Sequence, residues 1–225
     1  MGVTPGELAA YYPCLYHMAQ PDSWESIRRH GLLSTSSLLT LFGIEGEKRH
    51  VLEECRRGDL HEIKDEAQGS AVLRDQKPII ESKLRAALKG CSLPDWYKLL
   101  NAKVFFWLRT ERLNTLLSAR HYRGKPHTVL TLETLPLTQD YEALITLSPM
   151  NSGNTLPIAH ARGPETFKKM KDYPFAEREK YGAYFRVVEL AVEGGIPDIS
   201  KYVVRVETMV SDGATVATTN VIYTR

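Results

Sequence analysis

Cysteine is scarce in this 225-residue chain, and the three present, Cys14, Cys55 and Cys91, are widely spaced with no CxxC. An odd, scattered set supports neither a disulfide framework nor a thiolate metal site, and it fits a reducing compartment. No stretch reaches the ~18 to 20 consecutive apolar residues of a membrane span. The start, MGVTPGELAAYYP, lacks the basic and apolar regions of a secretory leader. The expectation is a soluble, cytoplasmic protein without a membrane partner. GxGxxG, GxxxxGKS/T, HExxH and GxSxG are all missing, and no Cys/His set has metal-ligand spacing. Rossmann, P-loop, zincin and α/β-hydrolase readings therefore have no motif, and no metal is expected. An excess of one charge is missing too: 29 Lys and Arg against 27 Asp and Glu leave +2. That excludes a strongly basic nucleic-acid coat and a disordered acidic tail, while leaving room for a local basic groove.

What is present is ordinary globular composition, 43% hydrophobic and 25% charged. A chain of this length buries about 70% of its unfolded surface and needs no cross-link to hold a core, so residues 1–225 are expected to form one domain. Cys14 to His17 (CLYH), after Pro13, reads as a brief strand closing on His17. Asp22 or Ser23 then caps a helix from Trp24 to His30, and Gly31 supplies its left-handed stop. Residues 37–100 carry mostly helical signals. The alternating charges from Glu45 to Ala67 suggest solvated helix faces, and Ile79, Ile80, Leu84, Ala87 and Leu88 predict an amphipathic helix between Pro78 and Gly90 that packs on a sheet. The second half changes to strand periodicity. Lys103 to Leu108, Thr128 to Leu132, Ala143 to Leu147, Phe185 to Val192, Tyr202 to Val206 and Val216 to Tyr223 are strand candidates. Between Met150 and Ala183 the chain is rich in Gly, Pro, Asn and Lys, as in a functional or mobile loop. Helices early and strands late give an α+β class.

Four features are candidates for chemistry. His17 is either a satisfied structural histidine or a ligand contact at a strand end, where open sheets bind ligands. Glu189 has apolar neighbours on both sides in Arg186-Val187-Val188-Glu189-Leu190-Ala191-Val192. A buried unpaired carboxylate is costly, so it is either a functional group or an outward-facing edge residue. Arg74 sits between two apolar triplets, as a phosphate-binding fork or as the ion-pair partner of Asp75 or of Asp65 and Glu66. From Lys168 to Arg186 six cations (Lys168, Lys169, Lys171, Arg178, Lys180, Arg186) face three acids, for a local +3, and Tyr173, Phe175, Tyr181, Tyr184 and Phe185 interleave with them. Cations alternating with rings suit single-stranded nucleic acid, although a solvated loop with aromatic anchors looks the same. His121 and His127 read as loop residues.

Taken in order, Leu15-Tyr16-His17-Met18-Ala19-Gln20-Pro21-Asp22-Ser23 with Gly31-Leu32-Leu33, then Lys103 to Arg109, then Arg178-Glu179-Lys180 leading to Val188-Glu189-Leu190 and Ile196-Pro197-Asp198, resemble the DarT-like ADP-ribosyltransferases of the diphtheria-toxin/PARP-like branch. The resemblance implies a split antiparallel β core, with 37–100 as a helical insertion within it. It implies mono-ADP-ribosylation of a nucleic-acid base in single-stranded DNA or RNA with NAD as co-substrate, by the toxin of a toxin–antitoxin or anti-phage pair with a possible antitoxin partner. Glu189 and Arg74 become the catalytic residues. His17, Tyr16, Gly31, Leu32, Arg74 and Phe105 become the NAD contacts, with Arg49 as rival to Arg74 on the phosphates. Gln20, Ser23, Lys169, Tyr173, Arg178, Tyr181 and Arg186 become acceptor contacts. Ser23 stands where DNA-modifying members carry a base-contacting asparagine, which leaves another base, RNA or a protein as the acceptor. A non-catalytic nucleotide-binding module of the same fold is the other alternative.

Overall fold

A computed structural model describes residues 2–225. Its strands are β1 (Cys14–Ala19), β2 (Leu32–Leu33), β3 (His61–Asp65), β4 (Gly69–Leu73), β5 (Lys103–Trp107), β6 (His127–Glu133), β7 (Ile145–Ser148), β8 (Lys168–Lys169), β9 (Glu189–Glu193), β10 (Gly195–Ile196), β11 (Val203–Ser211) and β12 (Val216–Thr224). The helices are α1 (Pro5–Tyr11), α2 (Trp24–His30), α3 (Thr35–Leu41), α4 (Gly46–Glu54), α5 (Glu81–Ala87), α6 (Leu93–Asn101), α7 (Thr110–Leu117), α8 (Thr134–Asp140) and α9 (Gly182–Arg186). The class is α+β. Eight strands form one sheet in the order β12-β11-β6-β1-β5-β9-β7-β8, and its registered pairs are antiparallel.

The sheet is not uniform. β1 pairs with β6 over six consecutive residues and β5 with β9 over five, but β1 meets β5 only at Tyr16↔Trp107. Beyond that pair the two central strands splay apart. Strand carbonyls facing a gap need other donors, because an unpaired buried peptide group is expensive. Two side chains supply them. His17 Nδ1 donates to the Phe105 carbonyl at 2.9 Å, and Arg74 Nη1 donates to the Met18 carbonyl at 2.7 Å. The largest core runs beneath both halves, joining Leu15 and Leu130 to Val104, Phe106, Leu190 and Leu147. Hydrogen bonding is thus interrupted along a line where packing is continuous.

Residues 37–100 are less helical than their charge pattern predicts. α4 stops at Glu54, and β3 and β4 follow as a hairpin. His61-Glu62-Ile63-Lys64-Asp65 buries Ile63 alone and exposes both neighbours on each side, so the strand has a single buried apolar residue. Asp65 Oδ1 accepts from the amides of Ala67 and Gln68, and Gly69 takes φ +79°, so the turn chemistry decides the segment. Leu84 and Ile79 pack with Trp96, Tyr97 and Leu100 of α6 in a cluster that Phe105 of β5 joins. Three further expectations need correction. β1 continues past His17 to Ala19, because Met18 and Ala19 pair with Val129 and Thr128. His127 begins β6 and is buried, with Nε2 against the Tyr122 carbonyl. The strand expected from Phe185 starts at Glu189, because Gly182 to Arg186 coil into α9.

α2 ends as its sequence predicts. Gly31 has φ +86° and donates to Ile27, and a Cβ there would lie 2.4 Å from Pro197 Cα, so β2 packs directly against the strand-and-turn backbone of β10.

Candidate functional site

The splay between β1 and β5 opens into a cleft of about 700 Å³, within the range that holds a small molecule or cofactor. His17, Arg74 and Glu189, spread over more than three-quarters of the chain, all line it. Gln20, Ser23, Gly31, Leu32 and Phe105 line it as well. Tyr16 does not; its ring packs in the cluster under α7 with Leu113 and Met18, and Trp107 reaches the cleft instead. Arg49 also lies elsewhere, bound to Glu53 of α4 and to Thr40 of α3.

His17 is fixed as one tautomer. Its Nδ1 proton goes to Phe105, which leaves Nε2 as an acceptor toward the cleft, and burial pushes its pKa down to about 4, so the ring is neutral at pH 7. Glu189 opens β9, paired with Trp107 on one side and Ser148 on the other. It is 4% exposed, and burial raises its carboxyl to about 7, against the opposing pull of the Ser152 backbone N–H at 3.0 Å. The turn that offers Ser152 is itself clamped. Arg162, buried, donates to the carbonyls of Ser152, Asn154 and His160. Arg112 and Arg162 both favour the ionised form of Glu189 from a distance. Arg74 lies 5.0 Å from the Tyr122 ring centroid, and the Tyr122 hydroxyl donates to Asp75. Asp75 is therefore not the ion-pair partner of Arg74: its Oδ1 is engaged by Tyr122 and by the Lys77 amide.

Part of the basic, aromatic segment turns inward, although most of its residues stay exposed. Tyr173 is buried with its hydroxyl on the Arg186 carbonyl, and the Arg186 guanidinium is sandwiched 3.7 Å from the Phe175 ring centroid and 4.5 Å from that of Tyr11. Arg178 closes the turn by donating to the carbonyls of Arg186 and Phe185, and Lys169 Nζ binds the Ala143 carbonyl at the sheet edge. None of the four lines the cleft. As acceptor contacts Tyr173 and Arg186 are corrected: cations and rings alternated in sequence because they stack on each other. Tyr181 and Phe185 keep exposed rings, and Tyr184 and Phe185 cover Arg112.

Sequence reasoning missed Trp107, Ser152, Arg162, Arg112 and Arg57. Only Trp107 left a signal, because period 2 places it on the same side of β5 as Phe105. The others depend on long-range contacts. Among the described residues no group of three or more His, Cys, Asp and Glu is placed to hold a metal, and no helix is long and apolar enough to cross a membrane. No curated protein and no solved structure matches the chain. Residues 13–203 do match a family, DUF7002, described as of unknown function. The match takes in β1, Arg57 and Arg74, which both line the cleft, and Glu189, so the chain belongs to the DUF7002 family.

Proposed function

We propose that this chain is an NAD-dependent mono-ADP-ribosyltransferase that modifies a nucleic-acid base, in the manner of a toxin from a toxin–antitoxin or anti-phage pair. One observation carries the reading. His17, Arg74 and Glu189, picked out by sequence as the residues of such a site, converge on one cleft at a splayed strand pair.

The fit to NAD rests on atoms of this chain. The free Nε2 of His17 accepts from a ribose hydroxyl, and the Nη2 of Arg74, left over after Nη1 binds Met18, faces the diphosphate. Phe105 and Trp107 wall the nicotinamide. In the transfer the bond from the ribose anomeric carbon to nicotinamide breaks, with the electron pair leaving on nicotinamide, and a bond from that carbon to the acceptor forms. Positive charge develops on the ribose, and the Glu189 carboxylate stabilises it while holding a ribose hydroxyl. With a pKa of about 7 the same group receives the acceptor's proton near neutrality. Its position on β9, tied to the Ser152 amide, keeps it in place through the reaction.

A nucleic-acid acceptor is favoured by exposed rings beside a cation. Phe185 is 54% exposed and packs on Tyr184, both rings cover Arg112, and Glu189 follows four residues later. Incubation with labelled NAD and separate pools of single-stranded DNA, RNA and protein tests the proposal. Label should enter nucleic acid with release of nicotinamide, and Glu189→Ala should slow transfer about 100-fold or more. Label entering protein alone would move the acceptor class. Binding of NAD without nicotinamide release, or equal transfer by Glu189→Ala, would overturn the enzyme reading.

A further inference from the structure

Two guanidinium groups reach the cleft with no carboxylate to neutralise them. Arg57 is only 5% exposed. Its Nη1 donates to the Leu52 carbonyl and to Asn101 Oδ1, its Nε donates to the Arg74 carbonyl at 3.0 Å, and its Nη2 has only Thr35 Oγ1, at 3.5 Å. Arg74 donates Nη1 to Met18, and its Nε is buried with no acceptor. The two segments are tied together, Gln76 N to Arg57 O at 2.8 Å and Arg57 N to Gln76 Oε1 at 3.0 Å. Every acceptor named is a neutral oxygen. Asp75, whose Oδ1 binds Tyr122 and Lys77, acts on the two arginines only at longer range.

Neutral acceptors orient a guanidinium but leave its charge standing, and a buried charge without a partner is among the costliest features a fold can carry. Two of them on neighbouring, backbone-linked segments produce a positive wall in a partly desolvated cleft, where the field is stronger than in water. Such a wall is complementary to an anion with two charged centres, and the planar guanidinium suits phosphate oxygens. We propose that Arg57 and Arg74 together form a diphosphate-binding subsite, Arg57 holding one phosphate through Nη2 and Arg74 the other. The proposal deepens the NAD reading and rests on it for the nucleotide attached to the diphosphate, but its test needs no turnover.

The test is calorimetric titration of the full chain with inorganic pyrophosphate, ADP-ribose and adenosine. Pyrophosphate and ADP-ribose should bind with affinity that falls as salt rises, and adenosine should bind at least about tenfold more weakly than ADP-ribose. Arg57→Gln should weaken both phosphate ligands about tenfold or more and leave adenosine unchanged. Thr35→Asp keeps the core arginine and places a carboxylate beside Nη2, and it should weaken pyrophosphate to the same degree, so the outcome stands even if Arg57→Gln does not fold. Pyrophosphate that fails to bind, or that binds both variants as it binds wild type, overturns the subsite. Failure of the transferase reading looks different: Arg57-dependent pyrophosphate binding without nicotinamide release keeps the subsite and removes the activity. Transfer with an unchanged KM for NAD in both variants does the reverse.

Discussion

Glu189 and His17 are both held away from their ordinary pKa by burial, and the consequences for stability have opposite signs. The Glu189 carboxyl is raised to about 7 in the folded chain. The folded state then binds a proton that the unfolded state has released between roughly pH 4.5 and 7, so this group makes the fold less stable as pH rises through that window. His17 is lowered to about 4. Its neutral ring contributes stability that is present above about pH 6.5 and lost as pH falls toward 4. The two slopes oppose each other in the overlap. Glu189→Gln should therefore raise the melting temperature at pH 8, by an amount corresponding to about 3 kcal/mol, and leave it nearly unchanged at pH 4.5. The same variant should steepen the loss of stability below pH 6.5, because His17 then acts alone. Thermal unfolding across pH checks both, and a variant curve parallel to wild type would refute them. On the activity side, a carboxylate that must be ionised predicts a kcat/KM that climbs with pH through about 7, and a flat profile from pH 6 to 8 would argue against that role.

Among the elements, the turn after α2 gives the sharpest structural test. Gly31→Ala forces a side chain into positive φ and drives a Cβ to within 2.4 Å of Pro197 Cα, so the β2–β10 contact must open. A cost of about 2 kcal/mol or more is expected, seen as a lower urea midpoint with an unchanged slope. The variant should also bind ADP-ribose more weakly, since Gly31 and Leu32 line the cleft. The elements were unequally legible in the sequence. Lys103 to Leu108 and Thr128 to Leu132 announced themselves by apolar runs, and α2 by its glycine stop. β3 and β4 did not, because only Ile63 and Leu73 are buried in a hairpin whose other strand residues are mostly solvated. His17 and Glu189 stood out as polar residues in apolar company. Arg57 could not, since it follows Glu53 and Glu54 in a stretch that reads as an exposed face, and it is brought inside by bonds to residues distant in sequence, Asn101 and Arg74. The cations and rings from Tyr173 to Arg186 misled in the other direction, because composition cannot distinguish a pair that stacks internally from a pair offered to a ligand.

At the scale of the whole molecule, a ligand in the cleft touches both halves of the sheet, because β1 and Arg74 bind on one side of the splay and β5 and Glu189 on the other. Any compound that binds only the folded chain raises its stability, by about 2.7 kcal/mol at a hundredfold excess over Kd. ADP-ribose should thus raise the melting temperature in a concentration-dependent way, and its failure to do so at millimolar concentration would remove this class of ligand from the cleft. The interrupted ladder also has a mechanical meaning. A sheet whose strands are laced along their full length shares an applied load among many bonds at once, whereas a crease held by one backbone pair and an imidazole gives way bond by bond. The molecule is built like two boards on a common spine, with the core as the binding. If the proposed nucleotide lodges in the crease it would act as a rivet between them, and the ligand-free chain should then part along β1 and β5 at a lower pulling force than the loaded one.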